Sequence, residues 1–316
     1  MTNKNRIQKN PNSYHSHYSY IRIGSHIPVL LQEVINTLNP QEGEIFVDGT
    51  INRGGHAKEL AKSLGKKGIL IGLDQDETAL AEAQDNLKDT PSKIVLLKGN
   101  FRNIVSLTKK AGVKKLDGVL LDIGFSSDQM EHSGRGFSFK TDEPLIMSFN
   151  AKSGEESFTA RDMVNDWQEN NLADVIYAYG EETFSRKIAK AIVEARQEGE
   201  IETTGQLVEI IKHAVPVWYT KKRIHFATKT FQALRMTVND ELTALKDGLI
   251  GAWELLKPNG RLAVISFHSL EARIIKGFMK EKKDVGEGVL VTKKAVKPGR
   301  AEVLANPRSR SAQLRV

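Results

Sequence analysis

The sequence predicts an α/β protein with a Rossmann-like, mainly parallel sheet that is interrupted by a helical insertion. First, four short apolar segments between residues 45 and 122 alternate with helix-type spacing of apolar residues. Second, no strand pattern occurs between Gln129 and about Val215, where the apolar spacing is helical. Third, another apolar segment, residues 261–266, resumes the alternation. We therefore expect one sheet built from two separated parts of the chain.

The first apolar segment, residues 45–47, ends at Asp48 and leads to Gly54 and Gly55 at the start of a predicted helix. Glycine has no Cβ, so a ligand can approach the backbone closely there. The helix start offers unpaired N–H groups and the positive end of the helix dipole. A tight turn between a strand and a helix would also use two glycines, so both interpretations stay open.

Polar or aromatic residues follow the next three predicted strands, at residues 68–73, 94–97 and 117–121. They are Asp74, Phe101 and Asp122. Because the carboxyl ends of parallel strands meet at one edge of a sheet, we expect these residues and Asp48 to lie close together. An acid after the second strand is typical of a group that binds ribose hydroxyls. The Phe101 ring could stack on an adenine or belong to the core.

The glycine pattern restricts the class of nucleotide ligand. Neither the dinucleotide fingerprint G-x-G-x-x-G nor the P-loop G-x-x-x-x-G-K-[ST] is present. The remaining common ligand of a strand, glycine turn and helix followed by a strand-end acid is S-adenosylmethionine. A dinucleotide dehydrogenase stays the disfavoured alternative.

The second half of the chain predicts a basic and aromatic segment, a helix and the end of the sheet. Residues 218–231 mix aromatic side chains with Lys221, Lys222 and Arg223, which suits phosphates and unstacked bases. A solvated helix start with core aromatics fits the same segment equally well. We expect one long helix over about residues 230–256 and a final hairpin from residues 289–292 and 311–316. That hairpin predicts a seven-stranded methyltransferase sheet.

Charge and composition exclude several classes of protein. The net charge is +7; four basic residues and no acid precede His26, while seven basic residues accompany only Glu302 from Val291 onward. Basic ends favour a polyanionic partner, although solubility alone could explain them. Zero cysteines exclude disulfides and thiolate metal sites and fit a cytoplasmic location. No apolar run approaches the roughly 18 residues of a membrane span.

Several motifs occur in one order from His26 to the C-terminus. They include HIPVLLQEV, GLDQD, LLDIGFSSDQ, RGFSF, FQALRMTVNDEL, ISFHSLEARIIK and NPRSRSAQLRV. The chain thereby resembles the MraW/RsmH family of ribosomal RNA small subunit methyltransferases H. The resemblance implies a class I S-adenosylmethionine-dependent fold with a helical substrate domain. It implies methylation of the N4 amine of cytidine 1402 in the decoding region of 16S rRNA.

The resemblance also implies site residues and a domain organisation. The cofactor-binding candidates are Gly54, Gly55, His56, Asp74, Phe101, Asp122 and Gln129. The candidate contacts to RNA are Arg135, Lys221, Lys222, Arg223, His268, Arg308 and Arg310. We expect a disordered extension at residues 1–24, methyltransferase parts at 25–132 and 215–316, and an insertion at 133–214. The partner is the small ribosomal subunit, and monomer and homodimer are both compatible with the sequence.

Some positions depart from the family pattern. Asn52 and Arg53 replace usual glycines, which bears on the path of the first loop. Asp128 replaces a usual proline and Ala272 a usual aspartate. A cluster of charges that the family usually shows is replaced by Ile146, Ser148 and Asn150. An RNA-binding protein of this fold with lost or altered specificity is therefore the alternative function.

The chemistry of amine methylation suggests where the catalytic groups lie. The delocalised lone pair makes a cytosine amine a poor nucleophile, so hydrogen-bond acceptors should face it. We predict that the turn after Asp122, including Ser127, supplies them. The Asn/Asp-Pro-Pro-aromatic signature of other amine methyltransferases is absent, and no carboxylate–histidine spacing around His56 or His268 predicts a metal.

Overall fold

The computed structural model describes residues 28–124, 133–149 and 158–316. The predicted extension at residues 1–24, and Ser127, Gln129, Asp128 and Asn150, lie outside these ranges. Within them, no helix is long and apolar enough to cross a bilayer.

Six strands form one sheet with the order β3-β2-β1-β4-β5-β6. The first five are parallel, and β6 runs antiparallel to β5. Val47 of the first strand pairs with Ile71 on one side and Val119 on the other. The strands are β1 (Ile45–Asp48), β2 (Ile69–Asp74), β3 (Lys93–Lys98), β4 (Leu116–Asp122), β5 (Leu256–Ser266) and β6 (Gln313–Arg315).

Thirteen helices are found within the described ranges. The first four alternate with strands, the next six belong to the insertion and the segment after it, and the last three follow them in the chain. They are α1 (Leu31–Leu38), α2 (Gly55–Leu64), α3 (Glu77–Leu87), α4 (Ile104–Lys110), α5 (Ala160–Asp166), α6 (Glu169–Gly180), α7 (Ser185–Ala195), α8 (Thr204–Ala214), α9 (Val217–Thr220), α10 (Thr228–Val238), α11 (Glu241–Leu255), α12 (Ser269–Asp284) and α13 (Arg300–Ala305).

The sheet is covered on both faces, which explains its continuous apolar strands. Neighbouring residues of β1 belong to different cores: Phe46 packs in the cluster that includes Leu60 of α2, and Val47 in the cluster that includes Leu249 of α11. Successive side chains of a strand point to opposite faces, so both must be apolar. The central strands could therefore be recognised from their composition alone.

The predicted seventh strand is wrong. Residues 289–292 form no strand, although the Thr292 N–H donates to the Val316 carbonyl at 3.1 Å and Val296 forms a single bridge to Leu314. Val289 is 85% exposed, so this segment lacks the covered apolar face that a strand requires. The short β6 therefore ends the sheet.

The predicted long helix over residues 230–256 is also wrong, because it is two helices, α10 and α11. Asn239 ends the first helix, and Asp240 takes a left-handed conformation with φ 48°. The Asn239 side chain accepts from the Phe149 N–H at 2.8 Å and donates to the Met147 carbonyl at 2.7 Å. These two bonds tie the point between the helices to the loop before the insertion helices.

The helical segment after the fourth strand has a hydrophobic core of its own. This core includes Met163 of α5, Ile176 of α6, Ile188 of α7 and Leu207 of α8. It also includes Leu234 of α10, so the apolar cluster continues beyond residue 214. The division into an insertion at 133–214 and two flanking methyltransferase parts stays a proposal.

Candidate active site at the carboxyl ends of the strands

A cleft opens at the carboxyl ends of β1, β2 and β4. The strand-end residues Asp74, Phe101 and Asp122 line one side of it. Arg135 and Glu241 line it from the segments that follow β4 in the chain. The cleft therefore lies between the rim of the sheet and residues of the helical part.

The loop after β1 turns sharply toward α2. Its start is tied to the sheet, because the Ile51 N–H donates to the Leu73 carbonyl at 2.9 Å. Asn52 has a φ of 48° and Gly54 a φ of 77°. Asparagine tolerates this left-handed conformation better than most residues, so Asn52 can stand where the family usually has glycine.

Arg53 is accommodated by two contacts to α3. Its Nε lies 2.7 Å from Oε2 of Glu82, and its carbonyl accepts from the Asn86 side chain at 2.9 Å. Its φ is not in the left-handed region. Arg53, the second departure from the family pattern in this loop, therefore anchors the loop to α3.

The Asp74 carboxylate is held in place by two backbone groups. Oδ2 accepts from the Asn52 N–H and Oδ1 from the Asp76 N–H, both at 3.0 Å. Burial raises the pKa of Asp74 above its usual value, although the two N–H donors act in the opposite direction. Each carboxylate oxygen can accept a second hydrogen bond. Asp74 can therefore bind hydroxyl groups of a ligand in the cleft.

Phe101 begins a short 3₁₀ turn, Phe101–Asn103, between β3 and α4. A Cβ on Gly248 of α11 would come within 2.4 Å of the Phe101 ring, so the ring packs directly against the helix backbone. The ring also lines the cleft. Phe101 is therefore both a core contact and part of the cleft wall, and its stacking on an adenine stays a prediction.

Asp122 ends β4 and is almost fully buried. Its N–H donates to Thr50 Oγ1 at 2.6 Å, and its Oδ1 accepts from the Gly124 N–H at 3.2 Å. Oδ2 lies 3.8 Å from Nδ1 of His56. The carboxylate thus links the first loop to the turn after β4.

His56 does not line the cleft but lies behind Asp122. Its Nε2 is 2.8 Å from the Val29 carbonyl, so Nε2 must carry the proton and donate. Gly54 and Gly55 also lie outside the cleft wall; a Cβ on Gly55 would come within 2.5 Å of Pro28. These three candidates shape and support the loop.

Asp48 and Glu241 are acidic groups of this region that the sequence did not identify as site residues. Asp48 is buried below the rim, and burial raises its pKa to about 7. Repulsion by Asp122 and Asp74 acts in the same direction, while the Thr50 N–H opposes it. The strand-end position of Asp48 was a signal for it. Glu241 lies in the motif FQALRMTVNDEL, but it was expected inside one long helix.

The far wall of the cleft is a clamped loop. Arg135 Nη1 donates to the carbonyls of Ser148 and Phe149, each at 3.2 Å. Asn239 accepts from the Phe149 N–H. Ser148 is buried. Backbone bonds to Arg135 and Asn239 therefore hold this loop.

Three side chains near this wall could geometrically hold a cation. One atom each of Glu241, His268 and Glu271 lies within 4.8 Å of the others. Arg235 donates to both oxygens of Glu241, at 2.8 and 3.1 Å, and brings there the positive charge that a cation would supply. We therefore interpret Arg235 as the counter-ion of Glu241, and the metal-free site stays a prediction.

The predicted basic segment forms an exposed surface after α9. Lys221, Lys222 and Arg223 are all exposed. The Nζ of Lys222 lies 4.9 Å from the Trp218 ring and 4.7 Å from the Tyr219 ring, and Trp218 is 58% exposed. A cation beside an exposed ring is an arrangement that suits nucleic acid.

The other candidate RNA contacts lie elsewhere. Arg308 and Arg310 are exposed in the 3₁₀ turn Pro307–Ser311. His268 is the N-cap of α12, where its Nδ1 accepts from the Glu271 N–H at 3.5 Å. Its Nε2 lies 2.8 Å from Glu271 Oε1 without hydrogen-bond geometry. Of the seven candidates, only Arg135 lines the described cleft.

A model of the MraW methylase family matches residues 24–316 of the chain. The chain belongs to this family. The class I methyltransferase fold predicted from the sequence is thereby confirmed, with six strands in place of seven.

Relatives within the MraW methylase family match almost the whole chain. The ribosomal RNA small subunit methyltransferase H of Deinococcus radiodurans is 49% identical over 294 residues, covering 92% of this chain and 89% of that protein. The one of Symbiobacterium thermophilum is 46% identical over 305 residues, covering 92% and 95%. The one of Clostridium botulinum (strain Loch Maree) is 43% identical over 306 residues, covering 92% and 97%.

Proposed function

We propose that the protein is an S-adenosylmethionine-dependent methyltransferase of small-subunit ribosomal RNA. The observation that carries this proposal is the cleft in which Asp74 and Asp122 of the sheet rim face Arg135 and Glu241. Relatives that carry the name ribosomal RNA small subunit methyltransferase H match 92% of the chain. The finer assignment, N4 of cytidine 1402 in the decoding region of 16S rRNA, follows from the family resemblance.

The residues of the rim fit the cofactor in chemistry. Asp74 offers a carboxylate to ribose hydroxyls, and Phe101, Ile123 and Ala244 offer an apolar wall to an adenine. Asp122, supported by His56, adds a carboxylate close to the first loop. When bound, the cofactor supplies a methyl group that its sulfonium centre already activates, so the protein has to orient the acceptor amine rather than provide a metal.

The RNA is proposed to reach the cleft along the helical part of the protein. Arg135 lies in the cleft, and the exposed surface around Trp218 and Lys222 offers cations and an aromatic ring outside it. Ribosomal RNA supplies unpaired cytidines whose bases are already unstacked, which reduces the free energy needed to extract the base. We include Arg223, Arg308 and Arg310 as further phosphate contacts in this proposal.

The experiment that tests the function is methylation of small subunits purified from a strain that lacks this enzyme. We expect mass spectrometry of the RNA to show one added methyl group on the N4 amine of a decoding-region cytidine. Asp122→Ala should weaken both S-adenosylhomocysteine affinity and turnover. Ser127→Ala should slow methylation while the affinity is kept, if Ser127 touches only the substrate.

Two results would contradict the proposal in different ways. RNA binding without methyl transfer by the wild-type protein would favour the RNA-binding alternative with lost activity. Quenching of tryptophan fluorescence by NAD, and none by S-adenosylhomocysteine, would favour a dehydrogenase. A Ser127→Ala variant that methylates at the wild-type rate would leave the function intact and remove Ser127 from the site.

A further inference from the structure

Glu241 occupies a position in the cleft that the predicted long helix would not have provided. It is the first residue of α11 and follows Asp240, whose left-handed conformation separates α10 from α11. The side chain is 11% exposed and lines the cleft opposite the rim of the sheet. A carboxylate in the first turn of a helix is stabilised by the helix dipole. The helix break therefore presents a fixed negative charge to the cleft.

Arg235 fixes the orientation of this carboxylate. Its Nε and Nη2 donate to the two oxygens of Glu241 at 2.8 and 3.1 Å, and the two side chains are 10% and 11% exposed. Such a two-point contact holds a carboxylate in one plane. Each oxygen of Glu241 retains the capacity for a further hydrogen bond. The carboxylate can thus accept a ligand N–H while it stays bonded to Arg235.

Arg235 and His268 partly offset the effect of burial on the pKa of Glu241. Burial raises the pKa of Glu241 above its usual value, Arg235 and His268 lower it, and repulsion by Glu271 raises it. Glu271 itself accepts from the N–H groups of Phe267 and His268 at 2.7 and 3.2 Å, so its position is also fixed.

Cytosine presents an exocyclic amine that donates hydrogen bonds, and carboxylate side chains are the usual acceptors for it. The cytosine ring withdraws electron density from the amine nitrogen. A hydrogen-bond acceptor that binds one N–H of the amine returns part of this density to the nitrogen. We propose that Glu241 binds the N4 amine of the acceptor cytosine and orients it for methylation. This proposal rests on the methyltransferase function above.

The proposal also accounts for the proton that the reaction releases. The methyl–nitrogen bond forms as the methyl–sulfur bond breaks, and the electron pair of the broken bond stays on sulfur. The nitrogen then gives up one proton to keep the product amine neutral. Glu241 accepts that proton through the same hydrogen bond and releases it to water at the mouth of the cleft.

A purely structural role for Glu241 has a different consequence. The pair of Arg235 and Glu241 also joins α10 to α11, and removing one partner of a buried ion pair destabilises a protein. Glu241→Gln keeps the size of the side chain and an oxygen for Arg235, so it is the variant most compatible with folding. Asp247→Asn is the matched control, because Asp247 lies exposed on α11 and outside the cleft, 3.6 Å from Arg102.

The test is single-turnover methylation of purified small subunits at saturating cofactor, with calorimetry of S-adenosylhomocysteine binding and thermal unfolding on the same proteins. We expect Glu241→Gln to fold, to bind S-adenosylhomocysteine within about twofold of wild type, and to methylate about a hundredfold more slowly. Asp247→Asn should match wild type in all three. A folded Glu241→Gln variant that methylates at the wild-type rate would overturn the proposal while leaving the function in place.

A second measurement reports the interaction with the amine without turnover. Two short RNAs, one with an unpaired cytidine and one with 2-pyrimidinone in its place, differ only by the amine and are compared as inhibitors. The cytidine RNA should inhibit the wild-type protein at a concentration about tenfold or more lower than the 2-pyrimidinone RNA. In the Glu241→Gln variant, the ratio of the two inhibition constants should approach one. An equal preference in both proteins would overturn the proposal. A wild-type protein that does not methylate small subunits would overturn the proposed function as well.

Discussion

The backbone N–H of Asn52 donates to Oδ2 of Asp74 at 3.0 Å and so joins the first loop to the end of the second strand. Asn52 makes this bond in a left-handed conformation, with a φ of 48°. Asn52, which departs from the family pattern, therefore helps to hold the Asp74 carboxylate in place. Both residues can be tested separately.

The first prediction concerns Asp74. A carboxylate that binds two ribose hydroxyls makes charge-assisted bonds, each contributing on the order of 1.5–3 kcal/mol. Asp74→Asn should therefore weaken S-adenosylhomocysteine binding by at least about tenfold in calorimetry. Asp85→Asn, an exposed carboxyl on α3, is the control. Equal affinities for Asp74→Asn and wild type would remove Asp74 from the site.

The second prediction concerns the conformation of Asn52. A left-handed residue other than glycine carries a conformational penalty of roughly 1–2 kcal/mol, which asparagine partly avoids. Asn52→Gly should leave the midpoint of chemical denaturation nearly unchanged, while Asn52→Ala should lower the free energy of unfolding by about 1 kcal/mol. The two variants control for each other, since neither has the side chain that bonds the Thr50 carbonyl. Equal free energies of unfolding for Asn52→Gly and Asn52→Ala would contradict a conformational penalty at position 52.

The third prediction concerns pH. Burial raises the pKa of Asp48 from 3.8 to about 7, so the folded protein keeps a proton that the unfolded chain releases at lower pH. The contribution of Asp48 to the free energy of unfolding is therefore fully present below the pKa that it has in the unfolded chain. This contribution is lost as the pH rises through the pKa that it has in the folded protein. Up to about 4 kcal/mol of the free energy of unfolding should be lost between about pH 4 and pH 8.

Asp48→Asn isolates this effect, because the amide oxygen can still accept from the Thr50 N–H. Denaturant unfolding at several pH values should show a smaller decrease for Asp48→Asn than for wild type. Asp89→Asn, an exposed carboxyl, should follow wild type. Parallel pH curves for wild type and Asp48→Asn would show that Asp48 ionises alike in both states.

The fourth prediction concerns the exposed basic segment. If Lys221, Lys222 and Arg223 contact phosphates, replacing all three by glutamine should flatten the plot of log affinity against log salt. The slope should fall by roughly 0.7–0.9 for each phosphate that the variant no longer neutralises. Titration of small-subunit RNA at several salt concentrations measures it.

The matched control for this variant replaces three exposed lysines of α12, Lys276, Lys280 and Lys283. The change in net charge is the same, so a general charge effect would alter both slopes alike. An unchanged slope for the variant in the basic segment would mean that its side chains are merely solvated.

Local sequence determined the sheet and its rim. Strands buried on both faces appear as continuous apolar runs, and the first polar residue after each run marks the end of the strand. Asp74 and Asp122 could therefore be predicted to share one edge, and the cleft contains both of them. The basic ends and the absence of a dinucleotide fingerprint were likewise visible in the sequence alone.

Tertiary structure decided the opposite wall of the cleft. Residues 230–256 have the spacing of one helix, but the chain breaks at Asp240, beside the bond of Asn239 to Phe149, 90 residues away in the chain. This break brings Glu241 to the cleft. His56 was expected at the cofactor, but packing places it behind Asp122. Periodicity records which face of an element is buried; it carries no information on which distant segment supplies the hydrogen bonds. Those long-range bonds determine where the chain turns and which charge faces the ligand.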